Sequence, residues 1–137
     1  MEAGDRIMDA NQLNGLALAY VGDAVYEVSV REHLIKAGMT KPNRLHKEAT
    51  HYVSAKAQAA LMQRLLDDDW VTEEEVAIYH RGRNAHSKTS AKNTDIKTYR
   101  QSTGFEALIG YLYLTEQLER LHELLRWCLD KGGSQHG

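Results

Sequence analysis

The chain has 137 residues with a formal net charge of −2, 42% of them hydrophobic and 26% charged; it is the size of one ordinary domain and too apolar to be disordered. A domain of this length buries roughly 68% of its unfolded surface, so neither metal nor disulfide is needed for folding. The sequence has no apolar run near the roughly 18 residues of a membrane span, no signal-peptide pattern, and one cysteine, Cys128, among leucines, which together predict a soluble cytoplasmic protein with a reduced, buried thiol.

Helical periodicity runs nearly throughout and strand-like alternation is scarce, which predicts an all-α fold in one domain. The first helix is expected from about Asn14 to Ala37, with Gly38 as its C-terminal stop. It is apolar on more than one side (Ala17, Tyr20, Val21, Ala24, Val25, Val28), more than one core needs. Thr40 and Pro42 open a short second helix, and Ser54 caps a third through Ala60, Leu61, Leu65 and Leu66. Thr72 with Glu75 forms a capping box before Val76, Ile78 and Tyr79. Gly82 to Lys97 loses apolar periodicity and reads as a helix tail followed by an exposed loop. Phe105 to Leu114 is the most apolar helix, and Glu116 to Lys131 a last amphipathic one with Leu118, Leu121, Leu124, Leu125 and Cys128 inward. The core is expected over residues 13–131, between short frayed termini.

Charge is segregated along the chain. Leu65 to Val76 holds Asp67, Asp68, Asp69, Glu73, Glu74 and Glu75 and no basic residue; His80 to Arg100 holds Arg81, Arg83, Lys88, Lys92, Lys97 and Arg100 against Asp95 alone. Local potential governs binding more than net charge does, so an overall −2 does not exclude a nucleic-acid partner.

Two positions sit badly with helix stability. Gly22 and Asp23 interrupt an apolar stretch in mid-helix, where Gly costs about 1 kcal/mol and Asp about 0.7 relative to Ala. Glu27, one turn on, shares a face with Asp23. Glu106 opens the most apolar helix, where Thr103-Gly-Phe-Glu106 also matches a capping box. Alternatively, the carboxylates of Asp23 and Glu106 converge on a hard divalent cation, since Mg²⁺ needs only one or two of them plus water and phosphate. Other cofactor chemistry is disfavoured: the seven histidines make no HExxH, one cysteine cannot make a zinc finger, and no phosphate-binding glycine motif implies a nucleotide.

Tyr20-Val21-Gly22-Asp23-Ala24-Val25-Tyr26-Glu27 resembles the signature helix of the ribonuclease III family. Phe105-Glu106-Ala107-Leu108-Ile109-Gly110-Tyr111-Leu112-Tyr113-Leu114 resembles its second catalytic helix, and Val53-Ser54 with Ala60-Leu61 its intervening segment. The likeness spans about Leu13 to Lys131, without the double-stranded-RNA-binding domain of larger members. It implies an Mg²⁺-dependent endonuclease, with Mn²⁺ able to substitute, that cuts double-stranded RNA to 5′-phosphate and 3′-hydroxyl ends. It further implies that the enzyme is a homodimer and matures precursors of large-subunit (23S) ribosomal RNA. Asp23 and Glu106 match the family's metal-binding catalytic carboxylates. Ala19 and Thr103 stand where larger members carry two more. The six basic residues of 80–100 are the expected RNA contacts. The alternative is an inactive RNA-binding or ribosome-assembly factor on the same scaffold.

Overall fold

The computed structural model describes residues 9–85 and 95–133. Among them are six helices and no strand: α1 (Gly15–Lys36), α2 (Pro42–Val53), α3 (Ala55–Asp67), α4 (Glu73–Arg83), α5 (Ile96–Leu114) and α6 (Leu118–Lys131). No helix there is long and apolar enough to cross a membrane.

Local chemistry sets most boundaries. The Asn14 side chain accepts from the Ala17 amide at 2.9 Å and starts α1. Gly38, at φ +94°, ends it in the left-handed conformation that glycine adopts without strain. Pro42 occupies the first turn of α2, and the Ser54 hydroxyl caps α3. Thr72 and Glu75 form both halves of a capping box on α4, at 3.1 and 2.9 Å.

Helix α5 is the hub and packs against α1, α3 and α4. Phe105, Leu108, Ile109 and Leu112 are fully enclosed with Leu18 and Tyr26 of α1, Met62 and Leu65 of α3, Tyr79 of α4 and Leu124 of α6. Tyr26 meets Phe105 edge to face, with ring centroids 5.1 Å apart. The α1–α5 crossing is closer than side chains permit. A methyl group on Gly22 would collide with the Glu106 carbonyl, and one on Gly110 with the Leu18 carbonyl. Gly22 is therefore the residue that lets two core backbones touch, which offsets its helix-propensity cost.

Two expectations are corrected. Helix α5 starts at Ile96 rather than Phe105, because Asp95 accepts from the Thr98 amide at 2.8 Å and caps it about two and a half turns earlier. Thr103 is thus inside the helix, its hydroxyl donating to the Tyr99 carbonyl at 3.1 Å, and no capping box exists at Glu106. Leu118, expected to face inward, is 48% exposed because α6 begins there, after a turn in which Glu116 takes a positive φ.

Candidate active site

With capping excluded, Glu106 needs another account. It lies nearly three turns from the end of α5 that Asp95 caps, on the helix whose backbone touches α1 at Gly22. Gly22 and Asp23 are adjacent, so the crossing that requires the glycine also brings the next side chain beside Glu106. The two carboxyls are in hydrogen-bonding contact. Asp23 is exposed and Glu106 half-buried, which puts the pair at the rim of the core.

Electrostatics mark the pair as incomplete. Burial, then the charge of Asp23 and the hydrogen bond with it, push the Glu106 carboxyl up to about 8. Glu27 adds a smaller repulsion in the same sense, although its own carboxylate accepts from Arg31 at 3.1 Å. None of the ion pairs formed among the described residues involves Asp23 or Glu106. Without a cation, burial and the neighbouring Asp23 both oppose ionisation of Glu106.

This donor set fits a hard divalent cation. Two carboxyl groups lie side by side with no ion pair to either among the described residues, and Mg²⁺ asks for little more from protein. No group of three or more His, Cys, Asp or Glu placed to hold a metal occurs among the described residues. At the two positions where the family resemblance would place further acids, the chain has Ala19 and Thr103. Ala19 is buried in the core, and Thr103 is buried with its hydroxyl spent on its own helix. A cation bound there would need water and phosphate to complete its coordination.

One residue at the site has no counterpart in the sequence reading. Gln58 of α3 is 2% exposed, and its amide donates to Glu106 Oε2 at 3.3 Å and to the Val53 carbonyl at 3.2 Å. The only signal for it is a long polar side chain in an otherwise Ala- and Leu-rich inner face of α3.

The model of the ribonuclease III domain matches residues 16–117, which takes in α1 through α5. The chain belongs to the ribonuclease III family. The chain is accordingly a ribonuclease III-family endoribonuclease, and Gly22-Asp23 and Glu106 fall inside the matched region. The chain is similar to the Mini-ribonuclease 3 of Enterococcus faecalis, 63% identical over 91% of this chain and 95% of that one. It is also similar to the Mini-ribonuclease 3 of Staphylococcus aureus, 51% identical over 82% and 84%. A crystal structure of a Fusobacterium nucleatum protein superposes with a TM-score of 0.77 at 28% identity, covering 87% of this chain and 93% of that one.

The expected RNA-contacting residues divide. Arg81 is turned inward: Nη1 donates to the carbonyls of Leu13 at 3.1 Å and Ala10 at 3.5 Å, pinning the segment ahead of α1. Arg83 is half-buried, with its guanidinium 5.8 Å from the Tyr79 ring centre. Lys97 and Arg100 are exposed on the first turns of α5. Lys88 and Lys92 lie outside the described residues. A second basic run, Lys41, Arg44 and Lys47, is exposed on α2 and escaped notice in the sequence. It flanks a groove of about 500 Å³ between α1 and α2, lined by Glu27, Arg31, His46 and Thr50 among others.

Proposed function

We propose that this chain is an Mg²⁺-dependent endonuclease that cuts double-stranded RNA to 5′-phosphate and 3′-hydroxyl ends, with Asp23 and Glu106 as the metal-holding catalytic pair. The observation that carries the reading is the contact of those two acids at the Gly22–Glu106 helix crossing, with no ion pair to either among the described residues. Bound there, Mg²⁺ would lower the pKa of a water and neutralise charge on the phosphate and the leaving oxygen. Asp23 contributes a carboxylate open to solvent. Glu106 contributes one whose proton must leave as the cation arrives, so binding tightens as pH rises toward about 8. Mn²⁺, with similar demands on oxygen ligands, is expected to substitute. Cytoplasmic precursors of 23S ribosomal RNA are the proposed substrates, as the family resemblance implies. The direct test offers duplex RNA beside each of its separated strands; internal cuts confined to the duplex are expected, and equal cleavage of a single strand would contradict the reading.

A double cut requires two such sites, which supports a homodimer with two-fold symmetry. Tyr20 is 83% exposed and Val28 66%, on the face of α1 away from its core side chains Leu18, Tyr26 and Val30. With Ala24, Tyr113, Leu121 and Leu125 they line an open groove of about 1070 Å³ between α1 and α6. An exposed apolar surface of this kind calls for a partner, and the groove's extension to Asp23 would set that partner beside the site. Sedimentation at micromolar concentration should give a dimer, and Tyr20→Asp with Val28→Asp should give an inactive monomer. A monomer that still makes staggered double cuts would contradict this arrangement.

The proposed RNA face joins Lys97 and Arg100 to Arg83, Lys88 and Lys92, and leaves Arg81 to its structural role. Duplex RNA is read through phosphates, 2′-hydroxyls and shape, so cations able to meet phosphates suffice. Each phosphate contact removed should lower the slope of log K against log salt by about 0.9, if the B-DNA coefficient carries over. Arg83, Lys88 and Lys92 replaced together by Ala should weaken duplex binding about tenfold or more at low salt and flatten that slope by 2 to 3 contacts' worth, roughly. Unchanged affinity and slope would move the RNA to another face, the exposed cations of α2 first.

A further inference from the structure

We propose that Gln58 is a positioning residue for Glu106: its carboxamide fixes the rotation of the Glu106 carboxyl so that the free oxygen sites meet the metal ready-aimed. The inference rests on the reading of Glu106 as a metal-binding carboxylate. It starts from an amide that is hard to explain as structure. Gln58 is 2% exposed, on a face of α3 whose other buried members are Ala59, Leu61, Met62 and Leu65. Burying a polar amide is unfavourable unless every group on it is paired, and here one is not. Both bonds it makes use Nε2, to the Val53 carbonyl at 3.2 Å and to Glu106 Oε2 at 3.3 Å, while the buried Oε1 has no partner among the described residues. A leucine would fill the space without leaving an acceptor stranded.

The two bonds together make the arrangement useful for the site. Val53 is the last residue of α2, so its carbonyl anchors the amide from a second element. The remaining N–H then reaches α5 and takes one lone pair of Glu106 Oε2. Glu106 is thereby held from one side by Gln58 and from the other by Asp23. A carboxylate restrained in this way loses less freedom when it takes up a cation. Groups that orient a ligand from behind are generally worth about 10- to 100-fold in metal affinity or activity.

The test is Mn²⁺ titration of the RNA-free protein, followed by the electron paramagnetic resonance signal of the free ion. Parent, Gln58→Leu and Glu106→Gln are compared, with thermal melts of each. Gln58→Leu should bind Mn²⁺ about tenfold or more weakly while melting at the parental temperature or above it, since the stranded acceptor is gone. Its kcat for duplex RNA should fall by a similar factor with KM little changed. A structural amide would behave in reverse, with a lower melting temperature and parental Mn²⁺ affinity, and that result would overturn the proposal. Should the leucine branch not fit, Gln58→Met, unbranched and of like length, is read by the same two criteria. If Glu106→Gln itself bound Mn²⁺ as the parent does, the metal reading of Glu106 would fall, and the role of Gln58 with it. Weak binding by Glu106→Gln beside parental binding by Gln58→Leu would overturn the Gln58 proposal alone.

Discussion

Glu106→Gln, and separately Asp23→Asn, should reduce cleavage of duplex RNA by at least about a thousandfold, at or beyond the upper end of what loss of a single electrostatic group costs an active site. Each exchange removes a carboxyl group at nearly constant volume from a pair that forms no metal-holding group of three or more among the described residues. Stability should move the other way. Glu106 has a folded pKa of about 8, raised above its ordinary value by burial and by Asp23. Such a group contributes stability fully present below the unfolded pKa near 4.5, and that contribution is lost as pH rises through about 8. The metal-free parent should therefore lose stability between those limits, whereas Glu106→Gln should not. Melts in chelator at pH 5 and pH 8.5 check this. Parallel pH profiles for the two proteins would remove the electrostatic argument, and Mg²⁺-dependent turnover by Glu106→Gln near the parental rate would remove the catalytic assignment.

The largest effect on folding is expected at Arg120. Glu75 is buried and is held by Arg120 through two bonds, Nε to Oε2 at 2.7 Å and Nη2 to Oε1 at 2.8 Å. Arg120 also donates to the Trp70 carbonyl at 2.9 Å and lies 4.0 Å over that indole ring. One guanidinium thus ties α6 to the turn between α3 and α4 and to the cap of α4. Arg120→Met strands a buried carboxylate, which costs about 3–5 kcal/mol, or roughly 10 °C or more in melting temperature for a chain of this size. The pH dependence follows from Glu75. Burial alone would raise its pKa, but the bonds from Arg120 and Thr72 bring it below the ordinary carboxylate range. The pair's contribution is accordingly present at neutral pH, above the unfolded pKa, and is lost only as pH falls through the depressed folded value. With Arg120 gone, burial prevails, so the variant's deficit should be largest at pH 7 and shrink toward pH 4, where a neutral Glu75 is tolerated. Adding Glu75→Gln should recover part of the loss at pH 7. A deficit under about 1 kcal/mol, equal at both pH values, would class the pair with exposed salt bridges.

How far the fold could be read ahead of the coordinates depended on whether the signal was local. Asn14, Ser54, Gly38 and the Thr72–Glu75 box act on backbone groups within a few residues, and each ends a helix where expected. The same rule misread Thr103 and Glu106. A capping box says nothing about whether a helix is already running, and Asp95 had started this one through a polar stretch, Lys97 to Ser102, with no apolar period to announce it. Gly22 was legible as a residue that helix propensity disfavours, but its reason was not. The backbone it admits belongs to Glu106 and Gly110, more than eighty residues on, and no short pattern tells which glycines will face each other. The candidate acids stood out as residues that their helices disfavour, with a cap as the competing account of Glu106, and the family resemblance then singled them out as a pair. Gln58 was missed because an amide in a helix looks solvated until its burial is known. Arg81 reads as surface charge for the same reason, while the structure uses it to hold the chain ahead of α1.

The central claim is that Asp23 and Glu106 make this chain a metal-dependent cutter of duplex RNA. The most direct measurement takes a duplex labelled at both 5′ ends, with the parental protein in chelator and then in millimolar Mg²⁺. The account predicts no cleavage in chelator, and in Mg²⁺ internal cuts in both strands whose downstream fragments carry 5′-phosphate. Binding of the duplex with both strands intact in Mg²⁺ and in Mn²⁺ would contradict it, and would leave an RNA-binding scaffold in place of an enzyme.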